Sequence, residues 1–172
     1  RTKKNLRVLR IDGLGKSKSS VGLDMKKISG GLLVQTQDNV VVDEPQFKVV
    51  SKKQPSKEQL ADLIFAMKVA KHAKSNAIVL AKNLATVGIG AGQMSRIDST
   101  ELAIKKAKGR QAGTVLASDG FFPFRDAVDA AAKAGILAII HPGGSVNDEE
   151  TAKAADENGI AMVVTGLRHF RH

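Results

Sequence analysis

Apolar side chains recur at helical spacing between residues 60 and 70, which predicts an amphipathic helix in this part of the chain. Ser56, followed by Gln59 three positions later, forms the capping-box pattern that is typical of a helix N-terminus. The spacing continues to about Ala73. We therefore expect a helix over residues 56–73.

Elsewhere, short apolar runs alternate with amphipathic stretches, separated by turns rich in Gly, Pro and Asn. Strands are predicted at residues 6–11, 32–35, 40–42, 47–50, 77–82, 86–90, 114–116, 137–140 and 161–165, and further helices at 93–108, 123–135 and 148–159. Since strands alternate with helices after residue 50, the predicted fold class is α/β, a three-layer αβα sandwich around a largely buried sheet.

Polar and glycine-rich turns follow or precede several of these strands, at residues 75–76, 90–96, 118–126 and 141–145. The last strand leads into a tail rich in arginine and histidine. Ligands of such sheets bind at the ends of strands. We therefore expect these turns and the tail to meet at one edge of the sheet and to form a binding site.

Composition limits the classes of protein and site. The chain has 172 residues, 42% of them hydrophobic, which suffices for one core, and we expect a single domain over residues 1–172. It has no cysteine, which excludes disulfides and thiolate-bound zinc. No apolar run approaches the length of a membrane span. A cytoplasmic protein with no membrane partner and no zinc is expected.

Basic residues are concentrated near the N-terminus. Residues 1–27 carry nine Lys and Arg and two Asp, which gives +7 of the net charge of +10. No aromatic side chain lies among these lysines, so the stacking platform of a single-strand binder is missing. We expect a basic, partly extended and partly looped segment over residues 1–27, and RNA binding through it ranks last among the hypotheses.

The sequence ASDGFFPFRD, which ends at Asp126, joins a predicted strand to a predicted helix. Pro123 suits the first helical position, which would leave amides near Phe124 and Arg125 to attract an anion or a polar substrate edge. Asp119 and Asp126 flank three phenylalanines that could hold a flat heterocycle. The alternative is that the phenylalanines are core and that Asp126 only complements the helix dipole.

The sequence GIGAGQMSR, residues 88–96, is a glycine-rich connection from a strand to a helix. Such glycines suit a backbone that approaches a ligand or another strand closely. The sequence has neither the P-loop pattern nor the dinucleotide-binding fingerprint. By itself this connection does not identify a ligand.

Five motifs together resemble one family, the bifunctional AICAR transformylase/IMP cyclohydrolases. They are KSNAIV from Lys74, GIGAGQMSR from Gly88, SDGFFPFRD from Ser118, PGGS from Pro142 and the terminal RHFRH from Arg168. Their order resembles the C-terminal half of the transformylase domain. The resemblance implies the second of two cytidine-deaminase-like subdomains, and an N-terminal half of that domain that is absent from this chain.

The family resemblance implies transfer of a formyl group from 10-formyltetrahydrofolate to phosphoribosylaminoimidazolecarboxamide (AICAR) in the synthesis of purines. AICAR, the folate co-substrate, the other half of the transformylase domain and a second copy in a homodimer are the implied partners. Asn76 resembles the catalytic asparagine that positions the transferring carbonyl. Phe121, Arg168 and His172 resemble substrate-binding residues, with Arg168 at the AICAR phosphate.

The resemblance also implies a folate site and, in some members, a potassium site. Phe124 and Asp126 resemble residues that hold the pterin ring, where a carboxylate can accept paired hydrogen bonds from a 2-amino pyrimidinone. Ser75 and Asp119 lie where some relatives bind potassium. The positions beside the folate tail are matched by Ser95, Arg96 and Ile97.

Three departures from the family affect the functional expectation. The family's catalytic Lys-His pair lies in the first half of the transformylase domain, and Lys71-His72 falls instead on a predicted helix surface. The cyclohydrolase domain is also absent, and Gly120 replaces a commoner alanine, a change expected to be minor. We expect this chain to be inactive alone, and a non-catalytic nucleotide-binding or scaffolding module of the same fold is the alternative.

Overall fold

A computed structural model of the chain describes residues 7, 9, 10, 12, 22–40, 42 and 47–172. The chain divides into two compact units, Arg1–Val41 and Val42–His172. Of the predicted strand at residues 6–11, residues 7, 9 and 10 are described and do not lie in a strand, and the rest lies outside the described residues, as does most of the basic segment over residues 1–27. The expectation of a single domain over residues 1–172 stays a prediction.

The first unit contains one antiparallel hairpin, made of strands β1 (Leu23–Ile28) and β2 (Gly31–Thr36). The two-residue turn contains Gly30 at a φ of 77°, which a glycine adopts without strain. β2 confirms the strand that was predicted at residues 32–35, whereas β1 was not predicted. The strand predicted at residues 40–42 is not found, because Val40 and Val42 lie outside strands and residue 41 is not described.

The second unit is built on a mixed sheet of six strands in the order β3-β8-β7-β6-β4-β5. Strands β6, β7 and β8 are parallel, whereas β4 is antiparallel to β5 and β6, and β3 is antiparallel to β8. The strands are β3 (Lys48–Val49), β4 (Ile78–Lys82), β5 (Ala85–Gly90), β6 (Val115–Ser118), β7 (Ala138–His141) and β8 (Ala161–Val164).

Four helices cover the two faces of this sheet. They are α1 (Lys57–His72), α2 (Arg96–Ala107), α3 (Asp126–Lys133) and α4 (Asp148–Glu157). Alternate residues of β4 point to opposite faces, so that Val79 packs in one core with Leu63 of α1 and Leu80 packs in the other with Ala103 of α2. Helices α3 and α4 share the second core. The predicted three-layer αβα sandwich is therefore confirmed as an architecture.

Helix α1 begins as its sequence predicts. The Gln59 amide donates to Ser56 Oγ at 3.2 Å, and the Ser56 amide donates to Gln59 Oε1 at 2.9 Å, which completes the capping box. Inside the helix, the Asp62 carboxylate accepts from the amides of Asn83 and Leu84 at 2.9 and 2.7 Å. This contact fixes the turn between β4 and β5.

Gly88 and Gly90 of β5 allow a helix, and not a ligand, to approach the backbone. A Cβ atom on Gly88 would overlap the Ala103 carbonyl of α2, and one on Gly90 would overlap the Ser99 carbonyl. The prediction that something approaches this backbone closely is therefore confirmed. The approaching element at Gly88 and Gly90 is helix α2, and not a ligand or another strand as the sequence analysis suggested.

Helix α3 begins at Asp126, three residues later than Pro123, where the sequence placed its start. In a helix that began at Pro123, the Pro123 carbonyl would accept from the Ala127 amide. The Asn147 side chain donates to that carbonyl at 2.6 Å, and the Ala127 amide donates to the Asp126 carboxylate at 2.7 Å. The expectation of a helical anion site at Phe124 and Arg125 is therefore wrong.

The turns that were predicted to converge do so. The N-terminal end of β4 and the C-terminal ends of β5, β6, β7 and β8 share one edge of the sheet. At this edge Ile78 pairs with Gly90 and Ser118, and His141 pairs with Val164.

Among the described residues, none of the helices combines the length and apolar character needed to cross a bilayer.

Candidate functional site

A buried ion pair ties this edge of the sheet together. Asp119 is fully buried, and its carboxylate accepts from the Ala77 amide at 2.9 Å, from the Ser75 hydroxyl and from the Arg96 guanidinium. Arg96 is itself only 7% exposed. The paired charges and the two further donors offset the cost of removing the carboxylate from water. Asp119 thus joins the start of β4 to the start of α2.

The C-terminal tail is held against the same ion pair. The His169 amide donates to the Asp119 carbonyl at 3.2 Å, and the Ser75 amide donates to the Arg171 carbonyl at 2.9 Å. The Arg96 guanidinium carbon lies 6.0 Å from the centre of the Phe170 ring. The tail therefore forms part of the site, as the sequence predicted from the position of the last strand.

A cleft of about 400 Å³ opens beside the ion pair. Its wall is formed by the start of β4, the start of α2, the phenylalanine motif and the tail. The lining includes seven residues that the sequence assigned to the site, namely Asn76, Ser95, Arg96, Ile97, Phe121, Phe124 and Asp126. Met94, Pro123 and Phe170 also line it and were missed. A pocket with this lining can take a flat, partly apolar ligand.

The three phenylalanines of the motif have different environments. Phe122 is fully buried, so the core interpretation is right for this ring. Phe121 is half-buried and Phe124 is 60% exposed, and with Pro123 they form what we call the aromatic shelf of the cleft. The Arg168 guanidinium carbon lies 5.2 Å from the centre of the Phe121 ring.

Asp126 brings an accessible carboxylate to the cleft. It is exposed, and its Oδ1 accepts from the Ala127 amide. The neighbouring Arg125 pairs with Asp129 at 2.8 Å and with Glu157 at 2.7 Å, and this guanidinium lowers the pKa of Asp129. Arg125 is not among the cleft-lining residues. Asp126 is thus the acidic group of the motif that is placed to meet a ligand.

Asn76 and Ser95 add polar groups to the cleft. Asn76 Nδ2 donates to the Gln93 carbonyl at 2.9 Å, which uses one of its two N–H groups. The Ser99 hydroxyl donates to the Asn76 carbonyl at 2.9 Å and fixes the backbone there. Ser95 caps α2, with its Oγ accepting from the Asp98 amide at 3.1 Å. Asn76 is therefore anchored, with a second N–H left to donate.

Four assigned residues do not line the cleft. Arg168 is exposed beside it, within reach of Gly144, and the His172 ring lies 5.7 Å from the Phe170 ring, centre to centre. At the candidate potassium position, Ser75 and Asp119 bond to each other, and Arg96 already supplies a positive charge. Within the described residues, no group of three or more His, Cys, Asp or Glu side chains is placed to hold a metal.

His141, at the end of β7, is a buried titratable residue that the sequence did not single out. Its Nδ1 accepts from the Gly143 amide at 3.1 Å, and its Nε2 has no hydrogen-bond partner within the described part of the chain. Burial lowers the pKa of the imidazole from 6.5 to about 4, whereas Asp148 opposes this shift and Arg96 adds to it. The imidazole is therefore neutral at pH 7.

Comparisons with known proteins cover both the cleft and the rest of the chain. A sequence model of the AICARFT/IMPCHase bienzyme family matches residues 1–106. The bifunctional purine biosynthesis proteins PurH of Chelativorans sp., Thermoanaerobacter sp. and Magnetococcus marinus are 54%, 57% and 51% identical to the chain. Each match covers 99% of this chain and 33–34% of the relative, so the chain spans about a third of their length.

Proposed function

The chain belongs to the AICARFT/IMPCHase bienzyme family, and from this premise we propose that it supplies half of the active site of an AICAR formyltransferase. The reaction is transfer of the formyl group of 10-formyltetrahydrofolate to the amine of AICAR, in purine biosynthesis. The observation that carries this proposal is the cleft in which Asn76, Asp126 and the aromatic shelf converge. The subdomain is proposed to be the second, cytidine-deaminase-like half of the transformylase domain.

Binding of two flat ring systems is the first task of such a site. The aromatic shelf offers Phe121 and Phe124 as stacking surfaces, and Asp126 offers a carboxylate that can accept paired N–H bonds from the pterin. The exposed Arg168, beside Phe121, carries the charge for the AICAR phosphate. His172 lies next to Phe170 on the same tail and completes the proposed nucleotide site.

The chemistry requires a donor for the carbonyl oxygen that becomes negative as the amine attacks. We assign this role to the second N–H of Asn76, because the Gln93 carbonyl holds the amide in place. Beside it, Ser95 and Ile97 are proposed to contact the folate tail. Arg96 would meet the tail carboxylates with the guanidinium N–H groups that Asp119 does not take.

The proposed site needs a second part, because the one carboxylate that lines the cleft, Asp126, is assigned to the pterin and is not left to take the proton of the amine. Lys71 and His72 lie in the last turn of α1 and are not among the cleft-lining residues. We assign the proton transfer to the part of the longer protein that precedes this chain, in a homodimer. A cleft whose one carboxylate is used to bind a ligand equally favours the alternative, a non-catalytic module that binds the nucleotide without turnover.

The direct test is formyl transfer by the full-length protein, with AICAR and 10-formyltetrahydrofolate as substrates. Asn76→Ala is expected to lower kcat by about 100-fold, because it removes the carbonyl donor. Asn158→Ala is the matched control, since Asn158 also donates to a backbone carbonyl but lies at the end of α4. AICAR binding without formyl transfer by the wild type would support the module instead.

A further inference from the structure

The end of β7 and the turn that follows it contact the phenylalanine motif, which carries the aromatic shelf, through two side chains. The rings of His141 and Phe122 lie 5.2 Å apart, centre to centre, with their planes tilted by 59°, and both are buried. Asn147 Nδ2 donates to the Pro123 carbonyl at 2.6 Å. The contacted residues, Phe122 and Pro123, are consecutive and lie at the base of the shelf.

The turn is itself fixed by internal hydrogen bonds. The Gly143 amide donates to His141 Nδ1, and the Gly144 and Ser145 amides donate to the Asp148 carboxylate at 2.7 and 3.2 Å. Since these three amides already have acceptors, the turn is a support and not an anion cradle. Because the turn is fixed in this way, it can hold the residues that it contacts, Phe122 and Pro123, in one position.

The bond from Asn147 holds the backbone of the shelf at Pro123. The Pro123 carbonyl accepts from Asn147, and the Ala127 amide, which would donate to that carbonyl in a longer helix, donates to the Asp126 carboxylate instead. Residues 123–125 therefore stay outside α3, and Phe124 remains 60% exposed at the cleft. Without the Asn147 bond, the Pro123 carbonyl would be free to move toward the Ala127 amide, and a helical turn from Pro123 would compete with the observed backbone path.

We propose that Asn147, assisted by the His141 ring beneath Phe122, is a positioning residue that keeps the aromatic shelf in its ligand-binding conformation. Neither residue lines the cleft, so their effect on a ligand passes through the shelf. The ligand named for the shelf rests on the proposed function. The positioning itself can be measured without any ligand.

Hydrogen–deuterium exchange of residues 120–126 in the ligand-free, full-length protein provides the first test. Asn147→Ala is expected to raise exchange in this segment by about fivefold, the effect of losing one neutral hydrogen bond. Asn147→Asp is expected to raise it further, because a carboxylate would face the Pro123 carbonyl. His141→Ala should also raise it, since it removes the ring beneath Phe122.

Thr114→Val is the matched control, because it removes a side-chain bond of the same length, 2.6 Å, to a backbone carbonyl, at the end of β6 that lies away from the cleft. It should leave exchange in residues 120–126 unchanged. In the formyl-transfer assay, Asn147→Ala should raise KM for the folate about fivefold and change kcat less than twofold. Wild-type exchange in Asn147→Ala, or an equal rise in Thr114→Val, would overturn the inference. If the wild type transfers no formyl group, the proposed function fails, and the exchange comparison still decides the positioning role.

Discussion

Asp119 and Asp126 belong to one short motif, yet the fold gives them different environments. Asp119 is fully buried, and donors from Ser75, Ala77 and Arg96 surround its carboxylate. Asp126 is exposed at the cleft, and its recorded donor is the amide of the next residue. A carboxylate saturated by protein donors holds the structure together, whereas one with accessible lone pairs can bind a ligand.

The largest effect is expected from Asp119→Asn. This change leaves the buried Arg96 guanidinium without its counter-charge, and it should lower the free energy of unfolding by about 3–5 kcal/mol. Chemical denaturation of the full-length protein measures the loss. The double variant Arg96→Met with Asp119→Asn should recover most of it, because no unpaired charge then stays buried. A single variant as stable as the wild type would contradict the structural role of Asp119.

The unfolding free energy is also expected to depend on pH, through His141. This residue is buried close enough to Arg96 to be affected by its charge. Its pKa is about 4 in the fold and 6.5 in the unfolded reference, so the unfolded chain binds more protons between these values. Stability is therefore full above pH 6.5 and falls as the pH drops toward 4, by on the order of 3 kcal/mol.

The variant His141→Asn isolates this dependence. Its amide oxygen can accept from the Gly143 amide as Nδ1 does, and it does not titrate between pH 4 and pH 6.5. Above pH 6.5, the unfolding free energies of the wild type and the variant should differ by a constant amount. Below pH 6.5, the wild type should lose stability through His141 and the variant should not, so the difference changes in favour of the variant. Parallel curves across the whole range would show that His141 is not held neutral by burial.

A smaller loss is expected from Gly120→Ala. The added Cβ would overlap the Arg96 guanidinium and the Phe170 ring, so the ion pair or the tail must move, at a cost of about 1–3 kcal/mol. This revises the expectation that the change from the family's alanine is minor. Gly31→Ala is the control, since a Cβ there meets its nearest atom at 4.0 Å. Equal stability of the two variants would mean that Arg96 moves at no cost.

The smallest change in stability is expected from Asp126→Asn. An asparagine oxygen can still accept from the Ala127 amide, so the unfolding free energy should change by less than about 0.5 kcal/mol. Thermal unfolding beside Asp119→Asn measures the contrast directly. A loss as large as that of Asp119→Asn would remove the distinction between the two carboxylates.

Local sequence predicted those elements whose ends are set by neighbouring residues. The capping box at Ser56 predicted the start of α1, and Gly135, at a φ of 78°, follows the end of α3 as predicted. The start of α3 could not be predicted in the same way. Near this start the Pro123 carbonyl accepts from Asn147, which is 24 positions away in the sequence, and local sequence does not show such a contact.

The same distinction applies to the cleft. Motifs identified Asn76, Asp126 and the two phenylalanines of the shelf because these residues lie in continuous segments at strand ends. The pairing of Arg96 with Asp119 was missed, since it joins two different motifs across the sheet edge. Phe170 was missed because only the folded tail brings it to the cleft.

Binding of 10-formyltetrahydrofolate to the full-length protein tests the central claim, that the accessible carboxylate of the motif is the one that meets a ligand. Asp126→Asn is compared with Asp98→Asn, because Asp98 is also an exposed aspartate in the first turn of a helix and does not line the cleft. We predict that Asp126→Asn raises Kd about tenfold or more, the effect of losing charge-assisted hydrogen bonds, while Asp98→Asn leaves it unchanged. Equal Kd values for the two variants and the wild type would contradict the account.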